Sequence, residues 1–72
     1  MNKKNKIKIV VNGKLLTVNL KFSLKKLIEK LKTPINKVAI ELNEEIVDKK
    51  KLNKIFLKHN DKIEIVHFIG GG

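Results

Sequence analysis

Asn12-Gly13 stands between two stretches in which apolar and polar residues alternate, and that pairing dictates how the chain begins to fold. Residues 6–11 (Lys-Ile-Lys-Ile-Val-Val) are alternating and β-branched, the pattern of a strand with one buried face. Asn12 and Gly13 both tolerate φ > 0, as a two-residue type I′ hairpin requires. Residues 14–20 return as a second strand, with Leu16, Val18 and Leu20 on one face and Leu15, Thr17 and Asn19 on the other.

Ser23 is placed to cap a helix, its hydroxyl accepting from an N–H of the first turn. Leu24, Leu27, Ile28 and Leu31 follow at i, i+3, i+4, i+7, with Lys25, Lys26, Glu29, Lys30 and Lys32 on the opposite face. Pro34 disfavours helical geometry at Thr33, so the helix is predicted to end near Lys32 after roughly three turns. Residues 37–42 alternate again, Val38, Ile40 and Leu42 inward, Ala39 and Glu41 outward. Asn43-Glu44-Glu45 reads as a turn and Ile46-Val47 as a short fourth strand. Asp48 is predicted to cap a short helical segment with Leu52, Ile55 and Phe56 at i, i+3, i+4. His59-Asn60-Asp61 reads as a turn with Asn60 left-handed. Residues 62–68 form the last strand, Ile63 and Ile65 inward, Glu64, Val66 and Phe68 outward.

Seventy-two residues without cysteine allow one small core and no disulfide framework. The element order gives an α+β fold, a mixed sheet of four to five strands packed on one helix plus a short helical segment. A right-handed crossover sets the last strand parallel to the first, which is the β-grasp, or ubiquitin-like, arrangement. The expected domain is 1–69, with 70–72 as a flexible glycine tail. No apolar run approaches the ~18–20 residues of a membrane span, and the apolar stretch after the basic N-terminus is too short for a signal peptide. A cytoplasmic protein that engages no membrane is expected.

The net charge of +10 invites a nucleic-acid reading, but all 17 basic residues are Lys. Arg, whose planar fork performs most specific base and phosphate readout, is absent. Together 17 Lys, 8 Asn and 10 Ile make up almost half the chain, the signature of an A/T-rich genome rather than of a polyanion site. Phe22, Phe56 and Phe68 are too far apart to form a base-stacking platform, and no specific nucleic-acid partner is expected. Nor does the chain hold a catalytic constellation. His59 and His67 lack partners at metal-ligand spacing, Ser23 is the only Ser, and Glu44, Glu45 and Asp48 surround a turn.

Gly70-Gly71-Gly72 follows directly on a strand. Without Cβ atoms, such a tail can be enclosed by a narrow channel in another protein. Residues 69–72 fully extended reach ~13 Å, enough to carry the Gly72 carboxylate into a partner's site, with Gly70 and Gly71 threading behind it. That carboxylate is ionised and a poor electrophile, so it needs activation on the α-phosphate of ATP. The chain has no phosphate-cradling loop. It is expected to bind no cofactor itself, with ATP and Mg²⁺ supplied by the activating partner. On the outer sheet face, Val10, Ala39, Val66 and Phe68 fall on the first, third and last strands and form the candidate docking patch.

The opening Asn12-Gly13, the run Val38-Ala39-Ile40-Glu41-Leu42-Asn43-Glu44-Glu45-Ile46-Val47 and the ending Ile65-Val66-His67-Phe68-Ile69-Gly70-Gly71-Gly72 resemble the ThiS family, sulfur carriers of bacterial thiamine biosynthesis. A terminal Gly-Gly is shared with the molybdopterin-synthase small subunit and with ubiquitin-like modifiers, which remain the alternative readings, with the same tail chemistry serving a different acceptor. Leu52 where Trp is common, His59-Asn60 in the last turn and the basic charge depart from the family pattern. The resemblance implies an E1-like adenylyltransferase (ThiF) that adenylates Gly72. It also implies a persulfide sulfur donor that converts Gly72 to a thiocarboxylate, and thiazole synthase (ThiG) as acceptor. The chain would then be a substrate in each step and not an enzyme.

Overall fold

In the computed structural model, which describes residues 5–68, strands β1 (Lys6–Val11) and β2 (Lys14–Asn19) pair antiparallel, with Ile7 opposite Val18 and Ile9 opposite Leu16. Asn12 (φ 49°) and Gly13 (φ 82°) form the turn between them. A Cβ on Gly13 would meet nothing within 4 Å, so the left-handed backbone, not space, calls for glycine there. β2 stops one residue earlier than predicted. Leu20, expected inward, is 49% exposed, because Lys21 turns to φ 64° and swings the chain towards the helix.

Helix α1 (Leu24–Lys30) begins where Ser23 Oγ accepts from the Lys26 N–H at 3.0 Å. It buries Leu24, Leu27 and Ile28, and it is two turns long rather than three. Lys32 enters the left-handed region (φ 55°). Its N–H bonds Glu29 C=O at 3.0 Å, and the Thr33 N–H bonds Ile28 C=O at 3.2 Å. This double closure is a Schellman motif, and it leaves Leu31 as the C-cap, 38% exposed. A 3₁₀ turn (Ile35–Lys37) leads into β3 (Val38–Leu42).

Asn43 (φ 51°) and Glu44 (φ 72°) make a second turn with both central residues left-handed. The fourth strand, β4 (Glu45–Ile46), therefore begins one residue sooner than the alternation suggests, and Val47 lies beyond it. Asp48 caps a 3₁₀ segment (Lys49–Lys54), accepting from the Lys50 N–H at 2.9 Å. Leu52 is buried as expected, but helical spacing does not continue to Phe56. Residues 55–57 run extended beside the start of α1. Leu24 N–H donates to Ile55 C=O, and Leu57 N–H donates to Phe22 C=O, both at 2.8 Å. Extended chain alternates, so Phe56 is 55% exposed and Leu57 is the core residue.

Asn60 takes φ 74° in the last turn, and β5 (Lys62–His67) enters the centre of the sheet. The strand order is β2-β1-β5-β3-β4, with β5 parallel to β1 and antiparallel to β3. This is the β-grasp fold. Its core is centred on Ile9, Leu24, Leu27, Val38, Ile40 and Ile63, with Val11, Leu16 and Leu42 packed partly buried against it. No helix among the described residues is long and apolar enough to cross a membrane.

Candidate functional site at the end of the central strand

Gly70, Gly71 and Gly72, which carry the proposed tail chemistry, lie outside the described residues, as does Ile69. The structure does describe how the strand that leads to them is held. On the β1 side, Val10 N–H donates to Asp61 C=O and Asn12 N–H to Ile63 C=O, both at 2.9 Å. One step further the contact passes to a side chain. Asn12 Oδ1 accepts from the Ile65 N–H at 2.8 Å, and Asn12 Nδ2 donates to Ile65 C=O at 3.4 Å. On the β3 side the register runs to Val38 opposite His67, and the Phe68 N–H donates to Lys37 C=O at 2.9 Å.

The opposite end of β5 is braced by polar turns. Asn43 Oδ1 accepts from the Lys62 N–H at 2.9 Å, and its Nδ2 donates to Asp61 Oδ1 at 3.0 Å. Asp61 Oδ2 accepts from the Lys58 N–H at 2.7 Å. His59 Nδ1 accepts from the Lys8 N–H at 3.1 Å, so this histidine ties the last turn to β1. His67 is exposed at the strand end. No cluster of three or more metal-ligating side chains occurs among the described residues.

Val10, Ala39, Val66 and Phe68 lie on or directly after the neighbouring strands β1, β3 and β5, but they do not form one patch. Ala39 and Val66 are direct cross-strand partners. Val10 instead faces Lys62 on one side and Leu15 on the other. Val66 lies four positions beyond Lys62 on β5, about 13 Å along the strand. Glu64 lies between them and contacts Lys62 Nζ at 3.9 Å; Glu44 contacts the same Nζ at 3.6 Å. A charged band therefore divides a Val10–Leu15 pair from an Ala39–Val66 pair. Phe68, 54% exposed, has the Lys49 ammonium 5.2 Å from its ring centroid.

Leu15 (66% exposed) and Ile46 (75% exposed) also stand on this face, Ile46 opposite Glu41. Neither belongs to the candidate docking patch read from the sequence. The signal for Leu15 was the two-residue turn, which fixes Val10 opposite Leu15.

The sequence model of the ThiS family matches residues 9–72. A thiazole synthase of Paramagnetospirillum magneticum is 38% identical over 66 residues, covering 92% of this chain and 20% of that protein. The sulfur carrier protein ThiS of Bacillus subtilis is 50% identical over 35 residues, covering 49% of this chain and 53% of that one. The crystal structure of the thiamine biosynthesis protein ThiS from Geobacter metallireducens matches with a TM-score of 0.80 at 30% identity, covering 92% of this chain and 100% of that one. The matched region thus spans a fifth of the thiazole synthase and about half of the Bacillus carrier.

Proposed function

The chain belongs to the ThiS family, and from that membership we propose that it carries sulfur for thiazole formation in thiamine biosynthesis, with Gly72 as the loaded residue. The observation that carries the reading is that the family match continues through residue 72, so the glycine tail belongs to what is matched. The central β5 supports it, because a strand tied on both sides gives the tail a fixed origin.

The Gly72 carboxylate attacks the α-phosphate of ATP on an adenylyltransferase, releasing pyrophosphate and forming an acyl-adenylate. A persulfide then attacks the acyl carbon and AMP leaves. A thiol then attacks the donor-side sulfur of the resulting acyl disulfide; the S–S bond to the acyl-bound sulfur breaks, a disulfide forms with the donor, and the thiocarboxylate leaves. Its ionised sulfur is the nucleophile delivered to thiazole synthase. A thiazole synthase whose own chain includes a segment similar to 92% of this one supports that acceptor. The adenylating partner supplies ATP and Mg²⁺, and this chain is a substrate throughout. Ala39, Val66 and Phe68 form the docking contact beside the tail, with Gly70 and Gly71 threading into the partner.

Intact-mass spectrometry tests the reading after incubation with the adenylyltransferase, ATP and a persulfide source. Replacing one oxygen by sulfur adds about 16 Da. An unchanged mass under conditions in which the enzyme loads its own carrier overturns the proposal.

A further inference from the structure

We propose that the Asn12 side chain is a positioning residue for the tail, taking over at Ile65 the strand contact that the β1 backbone ceases to supply; this rests on the sulfur-carrier reading. A parallel ladder takes its bonds at even spacing from alternate residues. The bonds Val10 N–H to Asp61 C=O and Asn12 N–H to Ile63 C=O follow that spacing. The next group along β5 is the peptide of Ile65. At that point Asn12 has turned to φ 49° and Gly13 to φ 82°, directing the chain into β2. A carboxamide offers one acceptor and a donor pair, the complement of a peptide's N–H and C=O. Asn12 uses both on the same residue, at 2.8 Å to the Ile65 N–H and 3.4 Å to its C=O.

Asn43 supplies the contrast. It occupies the same position in the other left-handed turn (φ 51°) and also binds the β5 backbone, but at Lys62, the end away from the tail. Asn12 alone of the two acts three residues before Phe68. Without it, β5 beyond Ile63 is tied only on the β3 side, and the origin of the tail can pivot. A partner that holds both the body and the tail must then freeze that pivot, which weakens association without touching the chemical step.

Asn12→Gly removes the carboxamide while keeping a residue suited to positive φ, and Asn43→Gly is its control. Two measurements follow. In the free protein, amide exchange at Ile65 should accelerate at least fivefold in Asn12→Gly relative to the Val10 amide. In pyrophosphate release by the adenylyltransferase, Asn12→Gly should raise KM about fivefold with kcat within twofold, the size of one net hydrogen bond. Asn43→Gly should leave KM within twofold. Unchanged Ile65 exchange in Asn12→Gly overturns the proposal, and so does an equal rise in KM for Asn43→Gly. If the wild-type chain is not adenylated at all, the carrier reading falls and the tail role with it. The Ile65 exchange then decides separately whether the brace holds the strand.

Discussion

Among the described residues, six other than glycine hold positive φ: Asn12, Lys21, Lys32, Asn43, Glu44 and Asn60. Asparagine tolerates that region better than most residues, and here Asn12 and Asn43 also use their side chains on β5. Lys32 is exposed, takes φ 55°, and holds the left-handed position of the motif that ends α1, where glycine is the usual residue. Its Cβ makes that conformation unfavourable by about 1 kcal/mol. Lys32→Gly should therefore stabilise the domain, raising the melting temperature by about 4–8 °C in a chain of this length. An unchanged or lower melting temperature would show that Lys32 contributes something the strain does not outweigh.

Among the elements, the extended run after the 3₁₀ segment sets the sharpest contrast. Leu57 is 2% exposed and its neighbour Phe56 is 55% exposed. Leu57→Ala should cost about 2–5 kcal/mol by emptying core volume, and Phe56→Ala less than about 1 kcal/mol. Equal losses in a urea melt would mean that residues 55–57 follow helical spacing after all. That spacing is what the sequence suggests, from Leu52, Ile55 and Phe56. A 3₁₀ turn has three residues, however, and residues 55–57 are held by Phe22 and Leu24, some thirty positions away. Local pattern carries no trace of such a pairing. Where local signals agree with the fold they were legible: the Asn12-Gly13 hairpin, the Ser23 and Asp48 caps, and the inward residues of β3 and β5; the parallel β1–β5 pairing followed from the element order and the handedness of the crossover. Residues at element ends were legible less well: a left-handed Lys21 shortens β2 although lysine does not favour that conformation, and a left-handed Lys32 closes α1 at Lys30, two residues before the end that Pro34 suggests. The candidate site divides in the same way. The glycine tail is plain in the sequence, whereas the separation of Val10 from Ala39 and Val66 depends on how two strand registers combine.

At the scale of the whole molecule, the proposed docking residues and the proposed reacting tail are consecutive stretches of one chain, so the two roles should be separable by substitution. Among the described residues the most deeply buried all come before Val66, and Phe68 and Gly71 follow it in sequence. Phe68 is half exposed beneath the Lys49 ammonium, a contact worth about 0.5–1 kcal/mol at an exposed site. Phe68→Ala should then shift the melting temperature by only a few degrees. If the ring anchors a partner, the loss in binding should be larger, since a central aromatic anchor commonly carries about 2 kcal/mol or more. The KM for the adenylyltransferase should rise tenfold or more with kcat little changed. Gly71→Val acts one step later. A Cβ and two methyl groups next to Gly72, the proposed reacting residue, would obstruct a channel that closes around bare backbone. AMP formation should be abolished while the melting temperature stays at the wild-type value. The pair distinguishes the two roles in one set of assays. Normal AMP formation by Gly71→Val rules out a close-fitting channel. A large fall in melting temperature for Phe68→Ala, with unchanged kinetics, assigns the ring to the fold rather than to the partner.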